Sequence, residues 1–291
     1  MMKRLIPSNE GVVGIVTAFL IVGLIVIVFS VVQTVYVPQW MKENEADHME
    51  AIADQFSQLK FAIDTHSQFK DVNNPMTTSI TLGNKEMPVL ASSRAYGSIE
   101  IIPEQFILKI SGALESNSTT SLNTLKYSSS NAYFLDQEYT YEAGAVILSQ
   151  YQGDTMAIKP SFSITKEGSR EYNISINLVN ITPVGDKNSI SGYGNYPIKT
   201  QYISTNEFEI IRISDFSIQT EFSNSWERFL NNSLTQVGLN YSGIGEDKGL
   251  HSYYITSDAN QVKVVFFTEL VINVNIKLIE ISAQIAPGWF T

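Results

Sequence analysis

The stretch Ile272-Asn273-Val274-Asn275-Ile276-Lys277-Leu278 alternates apolar and polar residues without a break. A period of two puts Ile272, Val274, Ile276 and Leu278 on one face and Asn273, Asn275 and Lys277 on the other, the pattern of a half-buried β-strand. The same phase recurs over 171–179, where Tyr172, Ile174, Ile176 and Leu178 read as inward and Asn173, Ser175 and Asn177 as outward. Further short β-type segments at 98–102, 106–110, 145–148, 161–165, 208–213 and 216–220 are separated by Gly, Asn, Asp, Ser and Pro. Residues 262–267 are apolar on both faces, as expected of a central strand. One helix is expected over 226–237, with Trp226, Phe229, Leu230, Leu234 and Val237 on one side and Asn224 or Ser225 as its cap. Strands at this spacing predict a mainly β domain over 72–291, an antiparallel β-sandwich or jelly roll with one inserted helix, built as one module or two.

The N-terminal part has a different character. No charged residue occurs over 11–41, and 12–32 is almost wholly apolar. Because a bilayer core takes about 20 residues of helix, this run is long enough to span one. A secretory signal peptide has a shorter apolar stretch followed by a small-residue cleavage site, and neither feature fits here. The expected order is a short cytoplasmic leader over 1–10, a transmembrane helix over 11–37 and a helical stalk over 38–71. Lys3 and Arg4 precede the span, whereas Glu43, Glu45, Asp47 and Glu50 follow it. The positive-inside rule then predicts a single-pass membrane protein with a cytoplasmic N-terminus and an extracellular C-terminal domain.

Tyr36 and Trp40 fall where an interfacial aromatic belt would lie, and Pro38 is expected to end or kink the helix. Beyond it, Met49, Ile52, Phe56, Leu59 and Ile63 follow 3-4-3-4 spacing. That packing face suits a coiled-coil seam or a surface seated on a globular domain. The acidic cluster over 43–54 reads as a solvated face.

Composition removes several function classes. With no cysteine, disulfides, thiolate metal sites and Cys nucleophiles are excluded. A formal net charge of −10 repels phosphate backbones, so nucleic acid is not an expected partner. His48, His66 and His251 are too widely separated for metal-ligand spacing, and no cofactor motif occurs. The 192–197 segment, Gly-Tyr-Gly-Asn-Tyr-Pro, is a tight turn without the βαβ context of a phosphate cradle. The 243–249 loop, with Glu246 and Asp247, reads as an ordinary loop, with calcium binding the lesser reading. No nucleophile elbow or other catalytic constellation is present, so an enzyme is not expected, although paired carboxylates on distant strands leave no local signature. Five Asn-x-Ser/Thr triplets, at Asn117, Asn173, Asn180, Asn231 and Asn240, are possible glycosylation positions in an extracellular domain.

The segment Asn9-Glu10-Gly11-Val12-Val13-Gly14-Ile15-Val16, the Ile-Val-Gly-Leu-Ile-Val run, and Gln33-Thr34-Val35-Tyr36-Val37-Pro38 resemble archaeal type IV pilin-like surface proteins. Residues 45–64, Ile80-Thr-Leu-Gly83, Tyr141-Glu-Ala-Gly-Ala-Val-Ile147 and the Trp226 helix extend the resemblance over most of the chain. The family pattern includes a basic leader close to a peptidase cleavage point, whereas here Glu10 directly precedes Gly11 and the basic residues are Lys3 and Arg4. The resemblance implies a membrane-anchored cell-surface structural or adhesion protein acting by assembly or binding. Its implied partners are the lipid bilayer, copies of itself or other pilin-like subunits, and surface-layer protein or glycan. The alternative is an anchored extracellular glycan-binding or glycan-hydrolysing domain.

Overall fold

The computed structural model describes residues 10–83, 95–112, 117–241 and 252–287. The expected leader, apart from Glu10, and the 243–249 loop with His251 lie outside the described residues.

The protein is mainly β, with curled sheets and one long N-terminal apolar helix. Helix α1 (Glu10–Val31) passes through a π-helical turn (Val32–Tyr36) into α2 (Val37–Phe69), so helical backbone continues past Pro38. The helix therefore does not end at Pro38, and the π turn supplies the reason. Proline cannot donate to the carbonyl of Thr34 and its ring crowds that carbonyl. Widening the preceding turn, closed by the Val37 N–H on the carbonyl of Val32, admits the ring without ending the helix.

Fourteen strands follow among the described residues: β1 (Met76–Thr81), β2 (Tyr96–Gly112), β3 (Asn117–Ser130), β4 (Gln137–Glu142), β5 (Ala145–Gln150), β6 (Gly153–Ile158), β7 (Phe162–Lys166), β8 (Glu171–Pro183), β9 (Ser189–Gly192), β10 (Asn195–Ile210), β11 (Ile213–Gln219), β12 (Tyr253–Ser257), β13 (Gln261–Phe266) and β14 (Val271–Ile285). Helix α3 (Ser223–Gln236) lies between β11 and β12. One sheet has the order β1-β10-β14-β8-β7. The other runs β12-β13-β11-β2-β3-β4-β5-β6, with β9 also pairing β2.

Pairing is not antiparallel throughout, as the sequence patterning suggested. Strands β8 and β14 run parallel from Glu171↔Val271 to Pro183↔Ala283. The C-terminal strand enters between β8 and β10, and five intervening strands and α3 form the long crossover that parallel pairing requires.

The expected strand over 208–213 is also divided. Arg212 has φ 52°, and the chain turns there from β10 into β11 and so from one sheet to the other. Long strands bend at bulges, as in β2, where the register with β3 shifts between Ile102 and Phe106 and Glu104 has φ 53°.

Two buried clusters hold the domain together. One combines Phe106, Leu108 and Ile110 of β2, Ile174 and Ile176 of β8, and Ile272, Val274 and Ile276 of β14 with Trp226, Phe229 and Leu230 of α3. The other joins Met49, Ile52, Phe56, Leu59 and Ile63 of α2 to Ile80, Leu125, Tyr127, Ile198 and Ile281. Both sheets contribute to each cluster, and one face of α2 packs into the second.

Candidate functional site

Contact between helix and β-domain begins as soon as the apolar span ends. Residues Val13 to Val31 of α1 are exposed all round, whereas Val37 and Met41 of α2 are buried. Glu45, expected within a solvated acidic face, is fully buried. Its carboxylate accepts the backbone N–H groups of Ala132, Tyr133 and Phe134 at 3.0, 2.8 and 2.6 Å. Three charge-assisted bonds to consecutive amides make a strong local clamp, which explains why this carboxylate leaves water while Glu43, Asp47, Glu50 and Asp54 stay in it.

Other polar contacts follow along the same face. His48 Nε2 lies 3.3 Å from the Tyr127 hydroxyl, which donates to the carbonyl of Leu82 at 3.2 Å. Gly97 permits the close approach of Leu82, since a Cβ there would fall 1.9 Å from the Leu82 carbonyl oxygen. Gln55 receives the Thr81 N–H at 2.8 Å and donates to the Thr81 hydroxyl at 3.1 Å. His66 Nε2 lies 3.2 Å from both the carbonyl and the hydroxyl oxygen of Thr200. Burial lowers the pKa of both histidines, against opposing contributions from the Leu82 carbonyl and Glu45 at His48 and from the Thr200 carbonyl at His66.

A second feature lies at the other cluster. The β5–β6 hairpin and the first turns of α3 enclose an open cleft of ≈ 460 Å³, lined by Gln150, Gln152, Asp154, Asn224, Glu227 and Arg228 among others. The α3 helix starts earlier than the sequence suggested, with Asn224 and Ser225 inside its first turn rather than capping it. A residue of the preceding turn and one from another strand do the capping. Thr220 accepts the Phe222 N–H at 3.1 Å, and Asp154 of β6 accepts the Ser225 N–H at 2.9 Å. Arg228 is held by the carbonyls of Asp154 and Asn224. At the hairpin tip, between two lining glutamines, Tyr151 is 99% exposed.

Glu142 of β4 lies buried beside the start of α3. Its Oε1 accepts the Trp226 indole N–H at 2.7 Å and the Thr220 hydroxyl at 2.8 Å. Burial pushes this carboxyl up to about 7, the two hydrogen bonds pull it down, and Glu221 and Asp154 push it further up.

The outward faces of β8 and β14 meet in register, Asn173 beside Asn273, Ser175 beside Asn275 and Asn177 beside Lys277. Glu207 and Glu209 of β10 complete a shallow groove of ≈ 440 Å³. Along this outward face several side chains bond to one another or to neighbours: Asn273 to Asn173 at 3.0 Å, Asn177 to Ser161 at 3.0 Å, and Lys277 to Glu207 at 4.0 Å.

The five sequons have different surroundings. Asn117 begins β3 and is exposed, and Asn240 is exposed after α3. Asn231 accepts the Tyr253 hydroxyl at 2.7 Å. Asn180 donates to Glu280 at 2.9 Å and accepts the Asn123 N–H at 2.9 Å, so both ends of its amide are engaged.

Among the described residues, no group of three or more His, Asp or Glu is arranged to hold a metal ion. Sequence reasoning missed Glu45, Glu142 and the cleft, because each joins residues more than 70 positions apart. Compared with known proteins, the chain matches no family model, no curated protein and no solved structure.

Proposed function

We propose that this is a pilin-like, membrane-anchored surface protein that works by contact and assembly rather than by turnover, with its β-domain displayed outside the cell. The observation that carries the reading is the continuous helical backbone over 10–69, bare and apolar at first and then fastened to the β-domain from Val37 onward. Such a helix holds the domain at a fixed height and orientation over a bilayer, as a filament subunit or a rigid adhesin needs. Tyr36 and Trp40, with ring centroids 5.9 Å apart, mark the level of the interface. The charge asymmetry about the span supports an extracellular domain. In this reading the two sheets pack as a sandwich, α3 is an insertion between its strands, and Asn117 is a glycan-carrying position.

The test is to locate the native protein and its domain. Protease added to cells with a permeabilised outer layer should remove the β-domain, and the full chain should sediment with membranes or filaments. A domain protected in the cytoplasm would overturn the orientation. Turnover of a glycan, abolished by replacing Asp154 or Glu227 in the cleft, would overturn action by contact.

The alternative, an anchored glycan-binding domain, is favoured by one specific observation, the polar cleft beside Tyr151.

A further inference from the structure

We infer that the cleft between the β5–β6 hairpin and α3 binds a neutral saccharide of one or two rings, with Tyr151 stacking on a sugar face at its rim. The volume, ≈ 460 Å³, lies within the range of small-ligand sites. Its chemistry narrows the class. The side chains of Gln150, Gln152, Asn224 and Glu227 make no hydrogen bond to the rest of the described protein, yet all four line one cleft. Two or more sugar hydroxyls, each donor and acceptor, match planar amide and carboxylate groups of this kind.

An anion is disfavoured. The Ser225 N–H already serves Asp154, Arg228 spends its Nε and Nη2 on the carbonyls of Asn224 and Asp154, and Asp154 and Glu227 are both acidic. A metal cation is disfavoured too, because the required cluster of ligating side chains is missing among the described residues.

Tyr151 supplies the second observation. A tyrosine at a hairpin tip with 99% of its surface in water contributes no packing to the fold. Its chain neighbours Gln150 and Gln152 both line the cleft, so the backbone of Tyr151 runs along the cleft's rim. An exposed aromatic face plus amides along one cleft suits a ring with one apolar face and an equatorial set of hydroxyls. The polar face of β8 and β14 suits a sugar less well, since several of its side chains bond to one another or to neighbours and its lining Phe208 is partly buried against the core.

The inference rests on the reading that the domain acts by contact, and its test is independent of membrane orientation. The full chain in lipid nanodiscs is titrated by calorimetry with maltose, cellobiose and N,N′-diacetylchitobiose up to millimolar concentration. At least one should bind saturably. Tyr151→Ala should weaken it about tenfold, as expected for losing one stacked ring. The double variant Gln152→Ala/Asn224→Ala should weaken it at least as much, with unchanged melting in both variants. Saturation by none of the three, or full affinity in both variants, overturns the site. Either result leaves the location of the protein, and so the proposed anchoring, to be decided by its own experiment.

Discussion

Glu45 and Tyr133 lie 88 positions apart in sequence, yet the Tyr133 backbone N–H donates to the buried Glu45 carboxylate at 2.8 Å. With the Ala132 and Phe134 amides on the same carboxylate, this joins the loop after β3 to the N-terminal part of α2. Replacing Glu45 by Ala removes the acceptor for three amides. The amides lie in an exposed loop and regain water, so the net loss should be about 2–4 kcal/mol rather than the sum of three charge-assisted bonds. Hydrogen exchange at 132–134 should accelerate more than at the β3–β4 ladder. Unchanged exchange there would show that the clamp does not hold the loop in solution.

The packed and bare faces of α2 should respond differently to substitution. Phe56 is fully buried, with rings of Tyr139 and Tyr127 at 5.6 and 6.4 Å, so Phe56→Ala should cost about 3–5 kcal/mol in unfolding. Phe61 is 68% exposed on the opposite face, and Phe61→Ala should change stability by no more than about 0.5 kcal/mol. A fall in sedimentable assemblies on Phe61→Ala, without a change in melting, would assign that face to contacts between copies. Equal melting losses in both variants would contradict the placement of α2.

Much of this arrangement was legible in the sequence, but only where one element carried the information. The alternation around Ile272 and Ile174 gave the inward and outward faces of β14 and β8, and the 3-4-3-4 row gave the buried face of α2. What covers that row was not legible, because Ile80, Tyr127, Ile198 and Ile281 come from four separate strands. Strand β3 was missed for a local reason. Its Ser/Thr-rich run includes buried Leu122, Thr124 and Leu125 about a bulged register, so no clean period of two survives. Parallel pairing of β8 and β14 was not legible either, since alternation fixes a strand's faces and not its neighbour's direction. Residues such as Glu45 and Glu142 take their roles from partners that only the fold brings near.

The sequons should differ in occupancy for reasons of geometry. Attaching a glycan at Asn180 would require its amide to give up the bond to Glu280, beneath the neighbouring β3 edge where Asn123 also contacts it. Asn117, exposed at the start of β3, meets no such obstacle. Mass spectrometry of native protein from a glycosylating host should therefore find Asn117 modified and Asn180 bare. Substituting Asn180 by Ala should destabilise the domain by about 1–3 kcal/mol, because the Asn123 N–H and the Glu280 carboxylate lose a partner. A modified Asn180 in folded protein would contradict this account.

Glu142 gives the fold a specific dependence on pH. Its carboxyl is pushed up to about 7 by burial, above the ordinary 4.5, so the folded protein holds this proton more tightly than the unfolded chain. Between pH 4.5 and about 7 the folded state therefore binds more protons, and stability falls as pH rises through that window, then levels off. The full effect is on the order of 3 kcal/mol. His48 and His66 act in the opposite sense, because their lowered pKa values make stability fall as pH drops below 6.5. Comparing wild type with Glu142→Gln at each pH cancels the histidines. The glutamine keeps an acceptor for Trp226 and Thr220 and has no charge to bury. The variant should gain stability over wild type steadily from pH 4.5 to 7, with a constant advantage above. Denaturant unfolding at half-unit steps measures this directly. A difference that does not change with pH would mean that Glu142 is not the titrating group.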